Sequence, residues 1–293
     1  MPPFILLGWA CLSLIHPNPM PKPAYQLFDA QGQALTYEDL RQSAQKAEVI
    51  LFGELHNNPI CHWLQFELFQ DLFATFGPRL KLGAEMFEAD NQLILNEYLA
   101  GLISEKHLHD EAKLWDNYDT DYRPLVEFAK AQALPVIATN IPRRYAALVS
   151  KQGPEALQKL SAEARQWMMP LPLQADLSRP AYANMVKMMS GHGGGMGAMK
   201  PENFAYAQAV KDATMAYFIL KNLEKGEVMF HCNGSYHSDN YDSIVWYLQK
   251  EAQKKSVLTI ASVEQAQLLH LEEENLRRAD FVLVIPKNMT KTY

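Results

Sequence analysis

Four side chains in this sequence have types and positions suited to shared chemistry: Glu54, His56, Glu85 and His237. Glu54 and His56 stand two apart in Gly53-Glu54-Leu55-His56, and an extended backbone points residues i and i+2 to the same side. A carboxylate and an imidazole that converge can hold a divalent metal ion, or act as a base and the group that orients it. Glu85 follows Gly83-Ala84, small residues that admit a close neighbour. His237 closes the run His231-Cys232-Asn233-Gly234-Ser235-Tyr236-His237, and Asn140 leads into Pro142, Arg143 and Arg144. Taken singly, each has a plain structural explanation: a first-turn carboxylate, a surface histidine, a solvated arginine. What sets them apart is that each stands at the C-terminal end of an apolar run.

Those runs read as buried strands. Glu48–Gly53, Leu80–Phe87, Pro135–Asn140, Glu227–Asn233, Val257–Ala261 and Phe281–Ile285 are short, apolar and rich in β-branched or aromatic residues. Between them lie longer segments with helical spacing: Asn58–Phe76, Asn91–Leu102, Tyr122–Gln132, Asn203–Leu223 and Tyr241–Ala252. This alternation predicts an α/β fold: a mainly parallel central sheet covered by helices on both faces. In such sheets ligands bind beyond the carboxyl ends of the strands, where the polar residues collect. Residues from about 144 to 201 interrupt the rhythm with Pro170, Pro172 and Pro180 and the glycine–methionine stretch around His192. They predict a helical insertion that caps the sheet, with the loop Gly191–Met199 as a lid over the site.

The chain has 293 residues, 48 % hydrophobic and 20 % charged, which is enough for one large domain with a buried core. A net charge of −6 argues against nucleic acid as a partner. Three cysteines, Cys11, Cys61 and Cys232, make neither a disulfide framework nor a structural zinc site, and the last two read as buried and inert. Phe4–Ile15 is apolar but too short to span a bilayer. It runs into Cys11 as a bacterial lipoprotein signal does, although no basic residue precedes it. The expectation is an exported protein lipidated at Cys11, facing the periplasm. Residues 1–23 then form the leader and a proline-rich linker, and residues 24–293 one α/β domain.

The motifs resemble a known family. Gly53-Glu54-Leu55-His56-Asn57-Asn58-Pro59-Ile60-Cys61-His62 is similar to the opening motif of ChaN-like lipoproteins, of the haem-binding uptake, Tiki superfamily. The resemblance continues through Gly83–Phe87, Trp115 with Tyr118, Tyr122–Ala129 and Ala138–Arg143. It includes Gln208 with Asp212–Ala216, then Asn233–His237 and Ala279–Val282, and so covers about Glu48 to Pro286. Cys61 departs from it, standing where a second histidine is expected beside His62.

The resemblance implies haem as the cofactor and haem or iron acquisition as the role, with a homodimer as a possible form. Haem iron takes tyrosinate, histidine, methionine or thiolate ligands. Tyr118, Tyr122, Tyr236, His56, His192 and His237 supply those types near the inferred site, with Asn140 at the strand end. Arg143 and Arg144 suit the propionates, because guanidinium matches carboxylate geometry. Relatives in the superfamily include metal-dependent peptidases and erythromycin-esterase-like hydrolases. The alternative is therefore a hydrolase that uses Glu54, His56, Glu85 and His237 on a divalent metal ion.

Overall fold

The computed structural model describes residues 22–191, 200–251 and 255–293. Cys11 and residues 192–199 lie outside these residues, and with them the expected lipidation site, the expected haem ligand His192 and the loop expected over Gly191–Met199 beyond its first residue.

All six expected strands are present, in one eight-stranded sheet. The strands are β1 (Gln26–Asp29), β2 (Ala34–Leu35), β3 (Val49–Glu54), β4 (Leu80–Glu88), β5 (Val136–Asn140), β6 (Val228–Gly234), β7 (Val257–Gln265) and β8 (Phe281–Pro286). Their order is β2-β1-β8-β7-β3-β6-β4-β5. Neighbours from β8 to β5 run parallel, whereas β1 pairs antiparallel with both β2 and β8. The β1–β2 hairpin was not expected from the sequence. It is short, buries Leu27 and Phe28 of its first strand, and covers the edge of β8.

Alternation along β3 assigns the two faces. Ile50 and Phe52 join one core with Leu64, Leu68 and Phe69 of the helix Pro59–Phe76 and with Leu125 and Val126 of the helix Arg123–Ala131. Val49 and Leu51 join the other core, with Val210, Met215 and Ile219 of the helix Pro201–Lys221 and with Val245 and Leu248 of the helix Ile244–Glu251. Both faces are thus covered, which is why the central strands read as continuous apolar runs rather than alternating ones. Asn58 caps the helix Pro59–Phe76, its Oδ1 accepting from the Ile60 N–H at 3.0 Å with proline at the first helical position.

The segment expected to be helical and then irregular from about residue 144 starts with a helix. Arg143–Gln152 is an ordinary helix packed in the second core through Ala146 and Val149. The helix Pro180–Gly191 then lies against Pro201–Lys221, with Tyr182 buried beside Ala205 and Ala209. Among the described residues no helix is long and apolar enough to cross a membrane.

Candidate functional site

The C-terminal ends of β3, β4, β5 and β6 form one rim, and each delivers the polar residue expected of it. Two buried networks meet there, one from each face of the sheet.

The first is centred on Glu54, whose carboxylate is fully buried. Its Oε1 accepts from His56 Nδ1 at 2.9 Å and from the Tyr122 hydroxyl at 2.6 Å, and its Oε2 accepts from the Gln65 amide. The predicted convergence of Glu54 and His56 is therefore real. The chain turns just after β3 in a fixed way: the His56 carbonyl accepts from His62 Nε2 at 3.0 Å and from the Asn117 amide at 2.9 Å. Trp115 stands edge-on to the His56 ring, 4.9 Å between centroids, and forms an apolar wall. Burial tends to lower the His56 pKa, but the Glu54 and Glu85 carboxylates outweigh it and the net shift is upward.

The second network is centred on His237, which is buried between two carboxylates. Its Nε2 donates to Glu85 Oε1 at 3.1 Å and its Nδ1 donates to Asp212 Oδ1. Asp212 also accepts from the Tyr182 hydroxyl at 2.8 Å, and Glu85 Oε2 accepts from the Gly234 N–H at 2.8 Å. Burial alone would lower the His237 pKa, yet the flanking carboxylates push it up to about 10. Burial would raise that of Glu85, but His237, His56 and the Gly234 N–H bring it down to about 2. His237 is thus an imidazolium at neutral pH paired with the Glu85 carboxylate, whereas burial raises the Asp212 pKa in spite of its bond to His237.

Gly234 separates the two networks, and the His56 ring rests on it. Gly83 does the same for His231, whose Cδ2 would lie 2.7 Å from a Cβ there. His231 is buried, held by Thr139 and Asn233, and its pKa falls to about 4 through burial. It is a neutral packing residue, and it is the close neighbour that Gly83 admits.

In this arrangement the quartet is committed to hydrogen bonds within the two networks. Both nitrogens of His237 face carboxylate oxygens and donate to them. Both oxygens of Glu54 are taken as well. Among the described residues, the donor atoms that lie within 4.8 Å of one another belong instead to Glu105, His109 and Asp119. Glu105 is already paired with Arg123.

Above the networks lie three adjoining cavities. One of about 310 Å³ is lined by His56, Glu85, Asn140, Arg143, Lys211 and His237 among others. A second, of about 420 Å³, is lined by Glu54, His56, Gly234, Tyr236, His237 and Tyr293. A third, of about 680 Å³, shares Glu88, Trp115 and Arg143 with the first and Tyr293 with the second. Together they make a groove along the rim. Arg143 and Lys211 reach it with no carboxylate partner among the described residues, and Asn140 has a buried, unpartnered Oδ1 there. Arg144, in contrast, is paired with Asp90.

Two expected haem ligands lie elsewhere. The Tyr122 hydroxyl is committed to Glu54, and that of Tyr118 is buried without a partner among the described residues. Desolvation raises the pKa of these phenols and of Tyr236 and Tyr293 alike, but only the latter two line the groove. Tyr118 and Tyr122 sit in the core because the segment Tyr118–Tyr122 packs onto the strand ends. Tyr236 does reach the groove, 44 % exposed, its hydroxyl donating to the Ala181 carbonyl. Sequence reasoning missed Lys211, Tyr293 and the role of Asp212. Of these, Asp212 was signalled by its place in a motif.

Residues 40–248 match the model of the family described as haem-binding uptake, Tiki superfamily, ChaN. No curated protein matches the sequence significantly. Among solved structures, that of cofacial haem binding to ChaN of Campylobacter jejuni is similar, with a TM-score of 0.68 and 17 % identity. The match covers 89 % of this chain and 96 % of that one. A succinoglycan biosynthesis protein is similar with a TM-score of 0.50 and 11 % identity, over 85 % and 90 % of the two chains. Likenesses at such identities speak for the fold. The family match spans more than half of the sequence, and on it this chain belongs to the haem-binding uptake, Tiki superfamily, ChaN family.

Proposed function

We propose that this protein binds haem in the rim groove and serves haem or iron acquisition. The observation that carries the reading is the composition of that groove. It has an apolar wall at Trp115, unpaired cations at Arg143 and Lys211, and imidazole and phenol groups in its lining at His56, Tyr236 and Tyr293. A flat apolar ring with two carboxylates asks for this combination. Bound haem would supply the iron; the chain would offer it a ligand from His56, Tyr236 or Tyr293 and would hold the propionates with Arg143 and Lys211. Glu54 fixes the His56 ring through Nδ1, the partner that orients a ligating histidine.

Export and lipid anchoring through Cys11 belong to the same reading, as does a homodimer that closes over the open groove. The test is a titration of the purified protein with haemin. A saturable Soret shift is expected, and its absence would end the proposal. Sedimentation of the same samples would show whether the species that saturates is a dimer.

A further inference from the structure

A second cleft lies away from the rim, between the C-terminal half of the helix Pro201–Lys221, the helix Ile244–Glu251 and the segment Met169–Gln174. Its volume is about 560 Å³, within the range of small-molecule sites. The floor is apolar. Ala213 and Ala216, one helical turn apart, leave a trough flanked by the buried side chain of Met169 and the ring of Tyr247. The mouth is cationic. Lys221 and Lys250 both line it, and neither has a carboxylate partner among the described residues. Each is held over aromatic rings, Lys221 5.4 Å from the centroids of Tyr217 and Phe218 and Lys250 5.3 Å from that of Trp246. Glu251 is the one anion of the lining, so the mouth keeps a net positive charge.

We infer that this cleft binds a single-chain carboxylate amphiphile, a fatty acid, with its alkyl chain over Ala213 and Ala216 and its headgroup at Lys221 and Lys250. Charge complementarity selects the headgroup. An apolar trough ending in two fixed cations suits an anion with one long apolar tail, whereas an uncharged or cationic amphiphile leaves the lysines unmatched. The site shares no lining residue with the rim groove, so it does not depend on haem binding.

The test is calorimetric titration of the full chain with sodium dodecanoate, below its micellar concentration. Binding at one site per chain is expected, with dodecyltrimethylammonium binding at least tenfold more weakly. Lys221→Glu combined with Lys250→Glu changes exposed positions only and should weaken dodecanoate at least tenfold while the haemin titration stays the same. Ala216→Trp fills the trough and should abolish binding. Should that variant not fold, the lysine pair still decides the matter. Absence of binding, equal affinity for the cationic detergent, or affinity unmoved by the lysine reversal would each overturn the inference. A self-association that Ala216→Trp disrupts, with no dodecanoate bound, would assign the cleft to a second copy of the chain instead.

Discussion

The imidazole of His56 rests on Gly234 so closely that a Cβ at Gly234 would lie 2.7 Å from His56 Nε2. Gly234 also donates its N–H to Glu85, so one residue aligns the histidine of one network and the carboxylate of the other. Gly234→Ala should push the His56 ring off its place while leaving the core intact. We expect haemin affinity to fall about tenfold or more, equivalent to about 1.4 kcal/mol, with a smaller change in melting temperature. Paired haemin titration and thermal melts check this, and a variant with wild-type affinity would refute it.

The His237–Glu85 ion pair predicts a defined pH dependence. The pKa of His237 is raised from 6.5 to about 10 on folding, so its contribution is fully present below 6.5 and is lost as pH rises towards 10. The pKa of Glu85 is lowered from 4.5 to about 2, so its contribution is present above 4.5 and is lost as pH falls towards 2. His237→Gln strands the buried Glu85 carboxylate and should cost about 3–5 kcal/mol near neutrality. The gap in melting temperature between wild type and variant should be widest between pH 4.5 and 6.5 and close on both sides. A gap constant from pH 3 to pH 10, in a range set by about those limits, would rule the pair out as an ionised unit.

Arg143 and Lys211 are assigned to carboxylates. Arg143→Ala and Lys211→Ala should each weaken haemin by about tenfold. Haemin dimethyl ester, whose propionates are uncharged, should bind the wild type and both variants alike. Discrimination between wild type and variants that persists with the ester would mean that the cations act through something other than propionate.

The tyrosines separate by their surroundings. Tyr122→Phe removes one hydrogen bond to a buried carboxylate and should cost about 1–3 kcal/mol of stability, with the Soret spectrum of the haemin complex unchanged. Tyr236→Phe, Tyr293→Phe and His56→Ala each remove a group open to the groove, and the one that provides the axial ligand should alter the Soret position and the visible bands. If Tyr122→Phe shifts the spectrum and those three do not, the assignment of ligands to the open groove fails.

Lipidation is tested in cells. A palmitate analogue should label the wild type and not Cys11→Ser, and the variant should be released from the membrane fraction. Equal labelling of both proteins would remove Cys11 as the anchor. Several acyl chains on one cysteine would hold the protein stably, which a single chain does not.

Local pattern alone determined the six parallel strands of the sheet, the main helices between them and the strand-end positions of Glu54, Glu85 and Asn140. Apolar runs of strand length alternating with helical spacing leave few other arrangements, and parallel crossovers bring those ends to one side. The pairing of Glu54 with His56 was equally legible, because the two are neighbours in an extended segment. Tertiary structure decided what each group can do. Asp212 reaches His237 from a helix 25 residues earlier, and Tyr122 reaches Glu54 from 68 residues away. No periodicity records such meetings, since the core, not the local chain, selects them. The same holds for the tyrosines: Tyr118, Tyr122 and Tyr236 are alike in sequence, and only packing against the strand ends buries two phenols and leaves the third in the groove.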